Sequence, residues 1–89
     1  MITKDITIKN SSGLHARPAS QWVQMASRYK SSIKIKTHDS EVDGKSILGI
    51  LSLGLASGSQ FQLIVDGADE QEAAESLEAL VNNLENQGE

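Results

Sequence analysis

Hydrophobic and polar residues alternate along some stretches of this chain and recur at spacings of three and four along others. Ile2, Ile6 and Ile8 share one parity, with Lys4 among them, while Thr3, Asp5, Thr7 and Lys9 take the other, the alternation of a half-buried strand. Asn10–Gly13 breaks that pattern as a polar, glycine-ended loop. Ala19, Trp22, Val23, Ala26 and Tyr29 then form the apolar stripe of a helix of about three turns, with Gln21, Gln24 and Arg28 off the stripe. Trp22 reads as a core or core-edge residue rather than a ligand platform. Ser31 and Ser32 end the segment, Ile33–Thr37 alternates as a second strand, His38–Ser40 reads as a turn, and Glu41–Asp43 completes a hairpin as a short third strand.

Ser46 precedes Ile47, Leu48, Ile50 and Leu51, which makes it an N-cap for a short second helix closed by Gly54. Gly49 inside that helix costs about 1 kcal/mol relative to alanine, which points to close packing there. The helix has more apolar residues than one buried face can use. Either it is buried all round, or some of Ile47, Leu48 and Leu51 are exposed as a docking surface.

Ala56–Ser59 is a small-residue loop before a last strand, Gln60–Asp66, in which Phe61, Leu63 and Val65 face one way. Asp69 and Glu72 have the spacing of a capping box with Asp in place of Ser or Thr. Ala73, Ala74, Leu77, Leu80, Val81 and Leu84 then mark one face of a final helix, Glu70, Glu75, Glu78 and Glu85 its solvated side, and Asn86–Glu89 a frayed end. The order β-α-β-β-α-β-α contains the strand–helix–strand unit twice, so it predicts an α+β open-faced sandwich with helices on one face of the sheet. The pattern by itself also permits a ferredoxin-like variant with an extra helix.

Composition narrows the function. A chain of 89 residues has room for one domain, residues 1–89, which buries about 60% of its unfolded surface. Its aromatics are one Trp, one Tyr and one Phe, so Ile, Leu, Val and Ala must build most of the core. With no cysteine there is neither a disulfide nor a thiolate metal site, in keeping with a reducing compartment. The N-terminus lacks the apolar run of a signal peptide, and Ile47–Ala56 is too short to span a bilayer, so a soluble cytoplasmic protein is expected, with no membrane insertion. The net charge of -4 argues against nucleic acid as a direct partner.

The chemistry gathers at Ser12–Ser20, S-G-L-H-A-R-P-A-S. Proline is tolerated in a first helical turn, where its missing N–H has no intrahelical partner, so Pro18 puts the helix start within Ala16–Pro18. His15 then stands just ahead of free backbone N–H groups and the positive end of the helix dipole, and Arg17 adds a guanidinium suited to phosphate oxygens. An imidazole with the ordinary pKa of about 6.5 is roughly three quarters neutral at pH 7 and therefore nucleophilic. These parts suit a histidine that accepts and holds a phosphoryl group. Taken without the rest of the chain, the same histidine also fits an ordinary surface residue.

G-L-H-A-R-P-A resembles the phosphorylation-site signature of the HPr family, the histidine phosphocarriers of the bacterial phosphoenolpyruvate-dependent sugar phosphotransferase system. Gly44–Gly54, G-K-S-I-L-G-I-L-S-L-G, resembles that family's other marked segment, at the family's separation, and the similarity runs over essentially the whole chain. The resemblance implies four antiparallel strands with three helices on one face. It implies phosphorylation of His15 on Nδ1 by enzyme I and transfer to the A component (enzyme II A) of sugar permeases. Arg17 would neutralise the phosphate, with Ser12, Ala16 and Pro18 supporting the phosphate site, and no cofactor or metal would be required. Such a protein is a carrier in a relay rather than a stand-alone enzyme.

Ser46 matches the serine that, in many Gram-positive relatives, an HPr kinase/phosphorylase modifies to create a corepressor for a catabolite control repressor; the plain alternative is an N-cap only. The expected docking surface comprises Ile47, Leu48 and Leu51 with Ser20 and Gln24, on a protein expected to be a monomer. Leu48 and Leu51 depart from the methionine frequent in the family, and His38 matches no functional position in it. Two competing readings stand beside the sugar carrier: a nitrogen-branch phosphocarrier, and a non-catalytic regulatory interaction module using the Ile47–Leu51 patch.

Overall fold

Alternation and helical periodicity become seven elements in the computed structural model, which describes residues 1–9, 13 and 16–84. They are β1 (Ile2–Thr7), α1 (Ala16–Ala26), β2 (Ser32–Lys36), β3 (Glu41–Asp43), α2 (Ile47–Ser52), β4 (Gln60–Asp66) and α3 (Glu70–Asn83). The strands form one antiparallel sheet in the order β1-β4-β2-β3. Strands β1 and β2 each pair with β4, so they run parallel to each other with β4 inserted between them. The same holds for β3 and β4 about β2. Each crossover thus skips one strand position. A ferredoxin-like sheet would instead place β1 in the interior, whereas here β1 is an edge.

Register carries the apolar residues to one face. Ile6 lies opposite Phe61, Ile33 opposite Val65 and Ile35 opposite Leu63, and all six side chains are buried. Onto that face pack Ala19, Trp22 and Ala26 of α1, Ile50 of α2, and Ala73, Ala74, Leu77 and Val81 of α3. Lys4 shares the parity of the isoleucines, and its ammonium reaches Glu78 of α3 at 3.1 Å. Its stem therefore lies along the apolar face while its charge stays at the edge. Thr3, Asp5, Ser32, Lys34 and Lys36 occupy the uncovered face.

Trp22 is fully buried, as its place on the α1 stripe requires. Its ring meets Phe61 edge-on at 5.7 Å, and its indole N–H donates to the Gly44 carbonyl at 2.9 Å. Tyr29 lies past the end of α1, where its hydroxyl bonds Ser76 Oγ at 2.7 Å. The second strand starts one residue earlier than the alternation suggests, and Thr37 leaves it because its N–H turns to the Ser40 carbonyl at 2.7 Å.

The capping box expected from Asp69 and Glu72 does not form. Asp69 is the N-cap of α3 without a side-chain cap bond, and its carboxylate instead accepts the backbone N–H groups of Lys30 (2.9 Å) and Ser31 (3.0 Å) and the Ser31 hydroxyl. Ser31 is buried, so its donors need a partner inside the protein more than a helix end open to water does. Glu70 folds back to accept Gly67 N–H at 3.1 Å. Gly67 is also forced sterically: a Cβ there would lie 2.5 Å from Ser31 Oγ.

These contacts give the fold an acid dependence. The Ser31 hydroxyl, followed by the Lys30 N–H, holds the Asp69 carboxyl below its ordinary range, and the Gly67 N–H does the same for Glu70. A folded-state pKa below the unfolded one contributes stability that is complete above the unfolded value of about 4 and is lost as pH falls through the folded value. Urea midpoints should therefore hold steady from pH 7 to about pH 5 and fall below about pH 4. Asp69→Asn should lower the neutral-pH midpoint and flatten the acid limb; an unchanged acid limb in that variant would remove Asp69 from the account.

Candidate functional site

Two helix starts carry the residues singled out by the sequence. Helix α1 begins at Ala16, inside the span that Pro18 allows, with Ala16 and Arg17 exposed and Pro18 buried. Pro18 stands third in the helix, where no backbone N–H is needed, and its burial against the body of the protein fixes the first turn. The guanidinium-bearing residue therefore faces solvent while its neighbour is anchored. Ser20 is half-buried and Gln24 exposed further along the same helix. His15 and Ser12 lie outside the described residues; His15 is bonded to Ala16, the first residue of α1.

Helix α2 is capped as its sequence implies. Ser46 has extended backbone geometry, φ -106° and ψ 114°, and its Oγ accepts Gly49 N–H at 3.1 Å. Gly54, at φ +59°, follows the last turn in the left-handed conformation that suits glycine. Of the apolar residues of α2 only Ile50 is buried, while Ile47 is 37%, Leu48 78% and Leu51 38% exposed. An all-round buried helix is thereby excluded. Gly49 lets α2 sit close to β3, since a Cβ would stand 3.3 Å from Val42 Cβ.

The two helices pack against each other. Trp22 of α1 bonds the Gly44 carbonyl just before α2, and Lys45 Nζ donates to the Tyr29 carbonyl just after α1 at 2.7 Å. Arg17, Ser20 and Gln24 thus belong to a helix whose neighbour presents Ile47, Leu48 and Leu51. An exposed cation at the start of one helix and an exposed apolar cluster on the helix packed against it suit an anionic group that a docked protein delivers or removes.

His38 belongs to neither helix. It is exposed beyond β2 and borders a depression of about 310 Å³ on the uncovered face of the sheet, lined also by Asp5, Lys36, Gln60 and Gln62. One contact at the helix start escaped the sequence. Gly13 is buried at φ +71°, so close to the chain at Leu55 and Ala56 that a Cβ would lie 2.3 Å from the Leu55 carbonyl oxygen. A glycine before a helix signals a turn, but not the distant segment it rests on.

Among the described residues, no helix is long and apolar enough to cross a membrane. Residues 2–83 match the family described as the PTS HPr component phosphorylation site. The chain is 43% identical over 89 residues to the phosphocarrier protein HPr of Neisseria meningitidis, covering 100% of both chains. It is 46% identical over 81 residues to the HPr-like protein Crh of Halalkalibacterium halodurans, covering 91% of this chain and 96% of that one. The fold superposes on the crystal structure of an HPr from Thermoanaerobacter tengcongensis with a TM-score of 0.92 at 42% identity, covering 97% of each chain. Sequence motifs, strand order and relatives thus agree, and the chain belongs to the HPr family of phosphotransferase-system phosphocarriers.

Proposed function

We propose that this chain accepts a phosphoryl group on His15 from phosphorylated enzyme I and passes it to the A component of sugar permeases. The observation that carries this reading is the helix start itself: the sequence G-L-H-A-R-P-A runs into α1 with Arg17 exposed and Pro18 buried. In each transfer a nitrogen of the accepting imidazole attacks phosphorus as the P–N bond to the donor histidine breaks. The accepting ring gives up one proton and the departing ring takes one up, both through solvent, so each histidine ends with a neutral ring. Such a reaction needs alignment and charge stabilisation more than elaborate covalent chemistry. Arg17 and the free N–H groups of the first helical turn supply the positive field. The whole chain acts as one cytoplasmic domain and as a monomer in this reading. Incubation with phosphoenolpyruvate, magnesium and a bacterial enzyme I tests it: the protein should gain the mass of one phosphate and lose it in mild acid, and no gain with several such enzymes would defeat the proposal.

The docking surface in this reading is Ile47, Leu48 and Leu51 with Ser20 and Gln24. Leu48 is 78% exposed, so its truncation leaves the core intact. Leu48→Ser should raise KM for the enzyme I reaction about tenfold with an unchanged unfolding midpoint, the effect of removing an apolar anchor from an interface. An unchanged KM would place the docking surface elsewhere.

Regulation at Ser46 is favoured by its geometry and by the likeness to Crh, an HPr-like protein. Phosphate oxygens can go on accepting Gly49 N–H, so phosphorylation by a kinase of the HPr kinase/phosphorylase type need not unfold α2. It would add a charge of about -1.5 to -2 beside Ile47, opposing apolar docking there and creating a new feature for a catabolite control repressor.

A further inference from the structure

The described residues flanking the acceptor segment converge on one turn. Ala56–Ser59 is a reverse turn closed twice: Ser59 N–H donates to the Ala56 carbonyl at 3.0 Å, and Ser59 Oγ accepts Ala56 N–H at 3.2 Å. Its third residue, Gly58, has φ +87°, the backbone sign a type II turn requires there. On one side the turn is fastened to Ile8, with Ile8 N–H donating to the Ser59 carbonyl and Gly58 N–H donating to the Ile8 carbonyl, both at 2.8 Å. Ile8 is buried, as is Leu55 just before the turn, so the whole attachment is rooted in the core. On the other side, the backbone at Leu55 and Ala56 is the surface against which Gly13 packs with no room for a Cβ.

We propose that the Ala56–Ser59 turn is a positioning element for phosphoryl transfer, with Ser59 and Gly13 as its positioning residues. The inference rests on His15 being the acceptor. His15 is two residues beyond Gly13 and is bonded to the first residue of α1, so the Gly13 contact limits where the chain can carry the imidazole. Proline fixes one end of that short span from the helix, and the turn fixes the other. The turn also starts two residues after Gly54, which closes α2. Docking at α2 and chemistry at His15 therefore share a common support. In this proposal Ser59 and Gly13 act through the position of the histidine rather than on the phosphate.

The test is steady-state phosphorylation by enzyme I and phosphoenolpyruvate, with circular dichroism melts to establish that each variant is folded. Ser59→Ala removes the acceptor for Ala56 N–H and should lower kcat about five- to tenfold, the factor set by one hydrogen bond's net strength. KM should stay within about twofold, because the docking residues of α2 are untouched. Ser59→Thr restores the oxygen and should restore kcat. Gly13→Ala drives a methyl into the Leu55 carbonyl and should cost on the order of 100-fold in kcat, the scale of an ångström's misplacement. A wild-type kcat in Ser59→Ala, or a loss that threonine does not rescue, overturns the proposal while leaving the carrier reading in place, and does so even if Gly13→Ala fails to fold. No labelling of the wild-type protein, or full labelling of a His15→Ala control, overturns the carrier reading itself and the positioning role with it.

Discussion

Alanine at position 15 should abolish acid-labile phosphorylation while leaving the unfolding midpoint at its wild-type value. The loss should be on the order of 10³-fold or more, since without the imidazole there is no covalent acceptor and not merely a poorer one. Near the start of α1 the described side chains offer no substitute: Arg17 is a protonated guanidinium, and Ser20 would give a phosphate ester rather than a phosphoramidate. Acid lability separates those two products directly, because the P–N bond of a phosphohistidine breaks under mild acid that a serine ester survives. His38 is the other imidazole; it lies beyond β2, where it borders the depression on the uncovered face of the sheet. Retained acid-labile label in His15→Ala would therefore move the acceptor to His38 and dissolve the role given to Arg17. Stability should be unaffected because the core is assembled from the sheet, Trp22 and the apolar faces of the helices.

What was legible in the sequence followed from local periodicity. The parity of Ile2, Ile6 and Ile8 predicts which face of β1 is covered, the spacing of Ala19, Trp22 and Ala26 predicts the buried stripe of α1, and Ser46 predicts its own cap because the acceptor and the N–H it satisfies are three residues apart. The apolar excess of α2 was legible too, since a helix of six residues cannot bury Ile47, Leu48, Ile50 and Leu51 on one side. The failures have the opposite character. Asp69 has the spacing of a local cap, but a buried serine on a loop far away in sequence competes for its carboxylate and wins. Gly13 announces a turn, whereas its reason for being glycine is the backbone at Leu55 and Ala56. Lys4 among isoleucines looks like an error of pattern until Glu78 supplies the charge partner. Motif resemblance reached the helix start and α2, and not the turn that joins their supports.

Trp22→Ala should be the most destabilising single change among the side chains discussed. Trp22 is fully buried and heads the large buried side chains, it meets Phe61 edge-on, and it donates the hydrogen bond that holds Gly44. Truncating a buried tryptophan typically costs about 3–5 kcal/mol through lost burial and a residual cavity. Leaving the Gly44 carbonyl without its donor adds about 1 kcal/mol or more. Small domains have total stabilities of about 5–15 kcal/mol, so the variant should be largely unfolded at 37 °C or melt roughly 15–30 °C lower. Trp22→Phe separates the two contributions: it keeps an aromatic ring against Phe61 and loses the N–H. Its smaller deficit should appear in urea unfolding, and a folded Trp22→Phe protein should show reduced phosphoryl transfer if the Gly44 bond helps to set α2 against α1. Should Trp22→Ala unfold with a wild-type midpoint, the assignment of Trp22 as the joint between the two helices would be wrong. Should Trp22→Phe lose stability but transfer phosphate at the wild-type rate, the joint would be purely structural, and the alignment of docking surface and acceptor would rest on the turn beneath Gly13.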